Sequence, residues 1–383
     1  MRVLKGPFTD ADISFMRRAL WLAQRARGRT SPNPMVGALA VKEGMIIGED
    51  YHKKAGEPHA EALVIRKLGP AIRDADLYVT LEPCCHKNKR TPPCTKAIIE
   101  AGIRRVYVAM IDPNPAVSGC GIGELVSAGI EVYVGLLSDM AQRLNEAYIK
   151  HITTGMPLVI LKAAMTLDGK ISDAFGDSKW ITGSEARREV HRLRGTVDAV
   201  LTAKGTVLAD NPQLTCRIKG YKNPLRVVID PALEVPVDYQ VFNSEAPTAL
   251  AYVKGLSAEK ANKLETLSKR GVMLMDFDTS PIALRELLKR LGERGITSVM
   301  IEGGSSLNNR ALTEGVVDRV IFFIAPKMLC GNSLPVTTGD GGFRVGSALK
   351  LAGLKIRRFG EDLMLSYELS HSNRSQAKDR GQD

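Results

Sequence analysis

Pro58-His59-Ala60-Glu61-Ala62-Leu63-Val64-Ile65, Asp76-Leu77-Tyr78-Val79-Thr80-Leu81-Glu82-Pro83-Cys84 and Cys94-Thr95-Lys96-Ala97-Ile98-Ile99-Glu100 decide the fold of the first half of the chain. The first reads as a helix start, with Pro in the first turn and apolar residues following. The second is a short strand ending before Glu82, and Thr95–Glu100 in the third is a helix opening next to Cys94. Ligand-type residues thus stand at the starts of two helices, where the macrodipole favours thiolate and hydroxide. His59, Cys84 and Cys94 offer one imidazole and two thiolates, a donor set that holds Zn2+ and leaves the fourth position to water. Zinc-bound water ionises near neutral pH. Glu61, two residues after the His, is spaced as a proton carrier rather than a ligand.

Cys85 and His86 compete locally with this ligand set. Cys84 is preferred because it follows Pro at a strand end. Cys85 and His86 are read as loop residues or substrate contacts, and the alternative for the Cys84/Cys94 pair is buried free thiols. Nine residues separate Cys84 from Cys94. The C-x-x-C that commonly closes a zinc nucleobase-deaminase site after its H-x-E and P-C signatures is therefore only half matched.

At 383 residues with a net charge of +11, the chain is long enough for two domains and strongly basic. The charge is dispersed, without a basic tail or interleaved aromatics, which favours phosphorylated small ligands or a plain basic surface over nucleic acid. No apolar run is long enough to span a membrane. Met1-Arg2-Val3-Leu4-Lys5-Gly6-Pro7 lacks the apolar core of a signal peptide, and a cytoplasmic location is the expectation. Cysteines at 84, 85, 94, 120, 216 and 330 suit a reducing compartment rather than a disulfide framework.

Helices and strands alternate throughout, which predicts an α/β protein. In the first half, Ala11–Arg27 reads as an amphipathic helix, Met35–Val41 and Met45–Gly48 as a hairpin, and Ser138–Lys150 as a closing helix. A break at Gly155-Met156-Pro157 separates the halves. The expected domains are residues 1–150 and 151–370, with 371–383 a flexible tail. The second half reads as strands at Leu158–Met165, Val197–Thr202, Leu225–Ile229, Ala249–Val253, Ser298–Ile301 and Arg319–Ile324. Helices are expected at Ser184–Arg194, Ala258–Arg270 and Ile282–Leu291, and a hairpin over Leu351–Arg357 and Leu363–Leu369. The turn Glu302-Gly303-Gly304-Ser305-Ser306 between strand and helix suits either a phosphate-bearing cofactor or a tight structural turn. It is not the standard dinucleotide fingerprint. Taken singly, Lys162, Arg194 and Arg217 read as solvated charges in preference to phosphate contacts.

Together these residues resemble the bifunctional deaminase/reductase family of riboflavin biosynthesis over roughly residues 12–370. The first half matches through Thr30-Ser31-Pro32-Asn33-Pro34-Met35-Val36-Gly37, Ala55-Gly56-Glu57-Pro58-His59-Ala60-Glu61, Thr80-Leu81-Glu82-Pro83-Cys84, Arg90-Thr91-Pro92-Pro93-Cys94 and Asp112-Pro113-Asn114-Pro115. The second matches through Leu167-Asp168-Gly169-Lys170, Trp180-Ile181-Thr182, Thr206-Val207-Leu208-Ala209-Asp210 and Ile301-Glu302-Gly303-Gly304. A long Cys-to-Cys loop is what this family has.

The resemblance implies a cytidine-deaminase-like three-layer domain followed by a dihydrofolate-reductase-like domain. The first would hydrolyse the 2-amino group of 2,5-diamino-6-(5-phosphoribosylamino)pyrimidin-4-one with zinc, Glu61 moving the proton and Asn33 holding the substrate. The second would use NADPH to reduce the ribosyl group to ribityl. It implies NADPH contacts at Ala164, Trp180, Thr206, Asp210 and Gly304, Ser305, Ser306, Leu307, Asn308, Asn309 and Arg310. Ser178, Arg194, Leu214, Arg217 and Glu302 would meet the ribosyl phosphate, with Lys162 assisting; without the resemblance, Trp180 and Leu214 read as core. It also implies a homo-oligomer with no nucleic-acid or membrane partner. The chain departs from the pattern in a Cys84–Cys94 loop one residue longer than usual, Cys85 in place of a common Ser, Asn211 in place of a second Asp, and Lys204-Gly205 in place of a small pair. The basic charge leaves an RNA-binding deaminase as an alternative, and Lys204 and Asn211 leave a deaminase with a degenerate second domain.

Overall fold

Thr9 and Asp12 start the first helix by capping each other. The Thr9 hydroxyl accepts from the Asp12 amide, and the Asp12 carboxylate accepts from the Thr9 amide at 2.8 Å. The computed structural model describes residues 6–85, 93–115, 117–255 and 257–369. His86, the Arg90-Thr91-Pro92 match and the 371–383 tail lie outside the described residues. The chain divides into two units, Met1–Met156 and Pro157–Asp383.

The first unit runs α1 (Asp10–Gln24), β1 (Gly37–Lys42), β2 (Met45–Tyr51), α2 (Ala60–Leu68), β3 (Asp76–Val79), α3 (Cys94–Glu100), β4 (Arg105–Val108), α4 (Cys120–Ser127), β5 (Glu131–Val134), α5 (Ser138–Leu144) and α6 (Glu146–Thr154). Its sheet has the order β2-β1-β3-β4-β5. The β1/β2 and β1/β3 pairs are antiparallel, whereas β3/β4 and β4/β5 are parallel. All four residues of β3 are buried, as expected of a central strand covered on both faces. Met16 and Leu20 of α1, Val64 of α2, Ile98 of α3 and Leu125 of α4 share one core with Leu39, Leu77 and Val106. Full burial of each large side chain contributes about 1.5–3 kcal/mol.

The helix expected over Ser138–Lys150 is broken at Asn145. That side chain is buried, accepts from the Met35 amide at 2.8 Å and donates to the Met35 carbonyl at 3.0 Å. Serving the chain just before β1 holds Asn145 outside helical geometry, with φ −104.

The second unit runs β6 (Leu158–Thr166), β7 (Lys170–Ser172), α7 (Ser184–Arg194), β8 (Ala199–Ala203), α8 (Lys204–Asp210), β9 (Leu225–Ile229), β10 (Thr248–Val253), α9 (Ala258–Lys269), β11 (Met273–Phe277), α10 (Leu284–Gly292), β12 (Ser298–Ile301), α11 (Ser305–Thr313), β13 (Arg319–Ala325), β14 (Leu334–Pro335), β15 (Leu351–Phe359) and β16 (Asp362–Leu369). The main sheet is ordered β11-β10-β9-β8-β12-β6-β13-β16-β15. It is parallel from β11 to β13 and turns antiparallel at β16 and β15. Having laid β6, the chain places β8 to β11 outward on one side and then returns to insert β12 between β8 and β6. Such a switch point opens a crevice at the carboxyl ends of the strands.

Four elements are absent from the sequence reading: β7, α8, β11 and β14. Lys204-Gly205-Thr206-Val207 is a poor helix former by composition, and β11 has no β-branched residue. Neighbouring structure decides both.

Candidate active sites

In the first unit, the loop from β2 delivers His59 as the N-cap of α2, and Cys94 is the first residue of α3. Cys84 lies on the loop after β3, and its carbonyl accepts from the Thr95 amide at 3.3 Å. His59 Nδ1 is 3.2 Å from Cys94 Sγ and 3.6 Å from Cys84 Sγ. All three donor atoms lie within 4.8 Å of one another. Ligands on a tetrahedral zinc, with bonds of about 2.0–2.3 Å, stand roughly 3.5 Å apart, so the set fits that ion. The hydrogen bond with Cys94, together with His59, draws the Cys84 thiol below its usual range despite burial, which favours the thiolate a metal requires.

Glu61 sits in the first turn of α2 and is 3% exposed. Burial pushes its carboxyl above the usual carboxylate range, against the opposing pull of His59. Its Oε2 is a buried oxygen with no hydrogen-bond partner among the described residues. Native structures rarely leave such an atom without a role. A carboxylate oxygen next to three metal donors is the arrangement expected of a proton carrier.

Asn33 is brought to the same region through His52. Asn33 Nδ2 is 3.3 Å from His52 Nε2, while the other ring nitrogen is 3.2 Å from the Pro58 carbonyl. The His52 ring lies edge-on to His59 at 5.5 Å. His52 is not among the residues picked from the sequence, since an isolated buried His carries no signal of its own. Cys85 is outside the donor cluster. It is buried, and burial with a hydrogen bond to Cys120 pushes its thiol up to about 12.

Glu82 fixes the floor beside Cys84. Its carboxylate accepts from the amides of Asp112, Gly119, Gly121 and Ile122 at 3.1, 3.0, 2.9 and 3.2 Å. This draws the start of α4 so close to Pro83 that a Cβ at Gly121 would collide with the Pro83 carbonyl oxygen.

In the second unit, a cavity of about 1110 Å³ opens at the crevice. Lys162, Ala164, Ser178, Trp180, Arg194, Thr206, Asp210, Leu214, Arg217, Glu302, Gly304, Ser305, Ser306, Leu307 and Arg310 all line it. Asn308 and Asn309 do not. Their amides donate to the Val336 and Asp340 carbonyls at 2.9 and 3.0 Å, holding the segment after β14.

A buried ion cluster sits in the cavity wall. Glu302 Oε2 accepts from Lys162 Nζ at 3.1 Å and from Arg194 Nη2 at 3.0 Å, and its Oε1 accepts from Arg194 Nε at 2.6 Å. Burial alone would raise the Glu302 carboxyl, but the two cations outweigh it and hold the group far below the carboxylate range. Two cations against one carboxylate leave a net positive charge facing the cavity. Ser178 Oγ donates to Asp210 Oδ1 at 3.0 Å, and Arg217 is held by Gln213 at 2.7 Å. Asn211 ends α8 in the left-handed region at φ 42, a conformation Asn tolerates well. Its side-chain oxygen accepts from the Gln240 amide at 2.8 Å, a local reason for Asn at this position. Arg187 and His191 also line the cavity and are absent from the sequence reading. The signal was present: with Arg194 they follow the i, i+4, i+7 spacing of one helix face. The Arg187 guanidinium stacks on Trp180 at 4.4 Å.

Comparison with known proteins gives two family matches. Residues 157–365 match the RibD C-terminal domain, and residues 9–110 match the cytidine and deoxycytidylate deaminase zinc-binding region. The riboflavin biosynthesis protein RibD of Aquifex aeolicus is 45% identical, with 94% of this chain and 99% of that protein covered. Its Escherichia coli counterpart is 39% identical, with 92% and 98% covered. Among solved structures, Acinetobacter baumannii RibD superposes with a TM-score of 0.85 at 35% identity, covering 94% of this chain and 99% of that one. A Thermotoga maritima diaminohydroxyphosphoribosylaminopyrimidine deaminase/5-amino-6-(5-phosphoribosylamino)uracil reductase does so with a TM-score of 0.81 at 38% identity, covering 94% and 98%.

Proposed function

This chain belongs to the RibD family, the bifunctional deaminase/reductases of riboflavin biosynthesis, and from that membership we propose how its own residues divide the two reactions. It is a zinc-dependent hydrolase and an NADPH-dependent oxidoreductase, with a cytidine-deaminase-like first half and a RibD reductase second half. Its helices include none, among the described residues, long and apolar enough to cross a membrane.

Residues 1–150 carry the deamination in this reading. The substrate is 2,5-diamino-6-(5-phosphoribosylamino)pyrimidin-4-one, which loses its 2-amino group. His59, Cys84 and Cys94 would hold the zinc ion, which would polarise water toward hydroxide at neutral pH. Glu61 takes a first proton from water and delivers it to the ring nitrogen, then carries the second, from the hydroxyl added to the ring carbon, to the amino group as it leaves as ammonia. Its burial excludes bulk water from that proton. Asn33, steadied by His52, holds the pyrimidine. The buried Glu61 carboxyl, which interacts with His59, Cys84 and Cys94 and whose Oε2 has no partner among the described residues, is the single observation that carries this reading.

Residues 151–370 carry the reduction of the ribosyl group, giving 5-amino-6-(5-phosphoribitylamino)uracil. NADPH supplies the hydride. Ala164, Trp180, Thr206, Asp210 and the segment Gly304 to Leu307 with Arg310 are assigned to the cofactor. Asn308 and Asn309 support it from behind by anchoring the 336–340 segment. Lys162, Ser178, Arg194, Leu214, Arg217 and Glu302 are assigned to the substrate. The Glu302 carboxylate fixes both cations in place before the substrate phosphate arrives, so little ordering remains to be done on binding.

A homo-oligomer completes the reading. β15 is exposed along its length, with Leu351, Leu354 and Ile356 at 42, 48 and 59% exposure, and a second copy would cover it. Light scattering on the eluting protein tests this; a monomer at micromolar concentration rejects it.

The test of the assignment is a coupled assay with the diaminopyrimidine ribosyl phosphate on zinc-quantified protein, following ammonia and NADPH separately. Ammonia release before or alongside NADPH loss is expected. NADPH loss without ammonia would overturn the deaminase assignment, and ammonia without NADPH loss the reductase one.

A further inference from the structure

Lys204 lines the reductase cavity and is the first residue of α8, at the carboxyl end of β8. Its ammonium is ion-paired with Glu234, from the connection between β9 and β10. Lys204 and Glu234 are 38 and 47% exposed, so the pair sits at the rim and exchanges partners at little cost. Of the other cations lining the cavity, Lys162 and Arg194 are paired with Glu302 and Arg310 with Glu314, while Lys179, Arg187 and Arg217 donate to the Asp210 carbonyl, the Thr182 carbonyl and the Gln213 side chain.

The sheet order gives the pair its place relative to a dinucleotide. Hydride transfer needs the nicotinamide beside the substrate, whose assigned contacts Lys162 and Glu302 are on β6 and at the end of β12. The glycine turn assigned to the cofactor follows β12. The strands beyond it are β8 and then β9. Thr206, two residues after Lys204, meets that turn: its Oγ1 would be 3.5 Å from a Cβ at Gly304. A cofactor running from β6 across β12 therefore carries its adenosine half to β8 and β9, where Lys204 and Glu234 meet. At an adenosine ribose, an acid suits free hydroxyls and a cation suits a 2′-phosphate. Here the chain presents both, locked to each other.

We propose that Lys204 is the residue by which this chain distinguishes NADPH from NADH, exchanging the Glu234 carboxylate for the adenosine 2′-phosphate. Glu234 holds the lysine at the rim when no cofactor is bound and competes with the phosphate for it. The inference rests on the cofactor assignment above.

Equilibrium titration of the full chain with NADPH and with NADH, read by reduced-nicotinamide fluorescence, tests it. Lys204→Ala is expected to weaken NADPH binding about tenfold or more, the scale of a lost charge-assisted hydrogen bond, and NADH binding less than about twofold. Lys204→Arg keeps the preference, and Glu234→Gln strengthens NADPH binding while leaving NADH unchanged. Equal weakening of both cofactors by Lys204→Ala, or no weakening of either, overturns the proposal and leaves the cofactor assignment standing. Wild-type protein that binds neither cofactor overturns both.

Discussion

In the first unit three donor atoms, all within the stretch from residue 59 to residue 94, lie within 4.8 Å of one another, with the Glu61 carboxyl interacting with them. In the second, the lining of a cavity of about 1110 Å³ is drawn from β6, β7, α7, β8, α8, α11, β14 and the loops between them, Glu302 just after β12 included. The first site is compact because a metal bond demands short, fixed distances from a few atoms. The second is distributed, as suits the dinucleotide and sugar phosphate proposed for it, which are long and need many weak contacts. A compact site fails on a single change, whereas a distributed one shifts by degrees, except where its own charges are buried together.

Glu61→Gln is the sharpest way to break the comparison. It is expected to keep zinc and cut deamination by about 10²–10⁴-fold, the usual contribution of a positioned acid/base, while reduction of supplied intermediate continues. Metal analysis and ammonia release check it. Loss of zinc in that variant would contradict the proton-carrier role.

Glu302→Gln probes the exception in the second unit. Removing the carboxylate leaves Lys162 and Arg194 without their shared counter-charge at 12 and 15% side-chain exposure. Breaking a buried pair from one side costs about 3–5 kcal/mol, so the expected result is a large fall in denaturant midpoint with loss of reduction. A midpoint within error of wild type would mean that the cluster does not hold the cavity wall.

Gly121→Ala tests how tightly the compact site is supported from behind. The added Cβ must push on the Pro83 carbonyl, which moves only by displacing Cys84. Zinc affinity is expected to drop about 10–100-fold, as for loss of outer-shell support, measured by competition with a chromogenic chelator. Unchanged affinity would show that the loop carrying Cys84 yields freely.

The smallest effect is a pH dependence in the second unit. Burial and then the Arg194 charge hold His191 below its ordinary value of 6.5. As pH falls through that value the unfolded chain takes up a proton that the folded chain refuses, so stability declines. Thermal melts between pH 7.5 and 5.5 should lose part of that decline in His191→Gln. An identical slope in the variant would remove His191 from the account.

These contrasts follow what each region writes into its sequence. The spacing of His59, Glu61, Cys84 and Cys94 was readable because metal chemistry restricts residue type and position together. The parallel strands were readable as apolar runs, since β8 and β12 are buried on both faces. The break at Asn145 was not, because its cause is a pair of hydrogen bonds to Met35, 110 residues away in the chain. Helix α8 was hidden by weak propensity, and Asn308 and Asn309, which the resemblance implied as cofactor contacts, turn to the backbone of residues 336–340.

By itself the sequence determined the α/β class, the two-part organisation and a candidate metal-donor set, because those depend on residue type at short spacing, and its ordered motifs carried the family resemblance that implied both reactions. Only the tertiary structure decided that Glu61 keeps an unpartnered oxygen, that Glu302 neutralises one of two cations, and that Lys204 faces Glu234. Each of these depends on which distant segments the sheet order brings into contact. Burial then sets the strength of their charges, and that strength cannot be read from the residues one at a time.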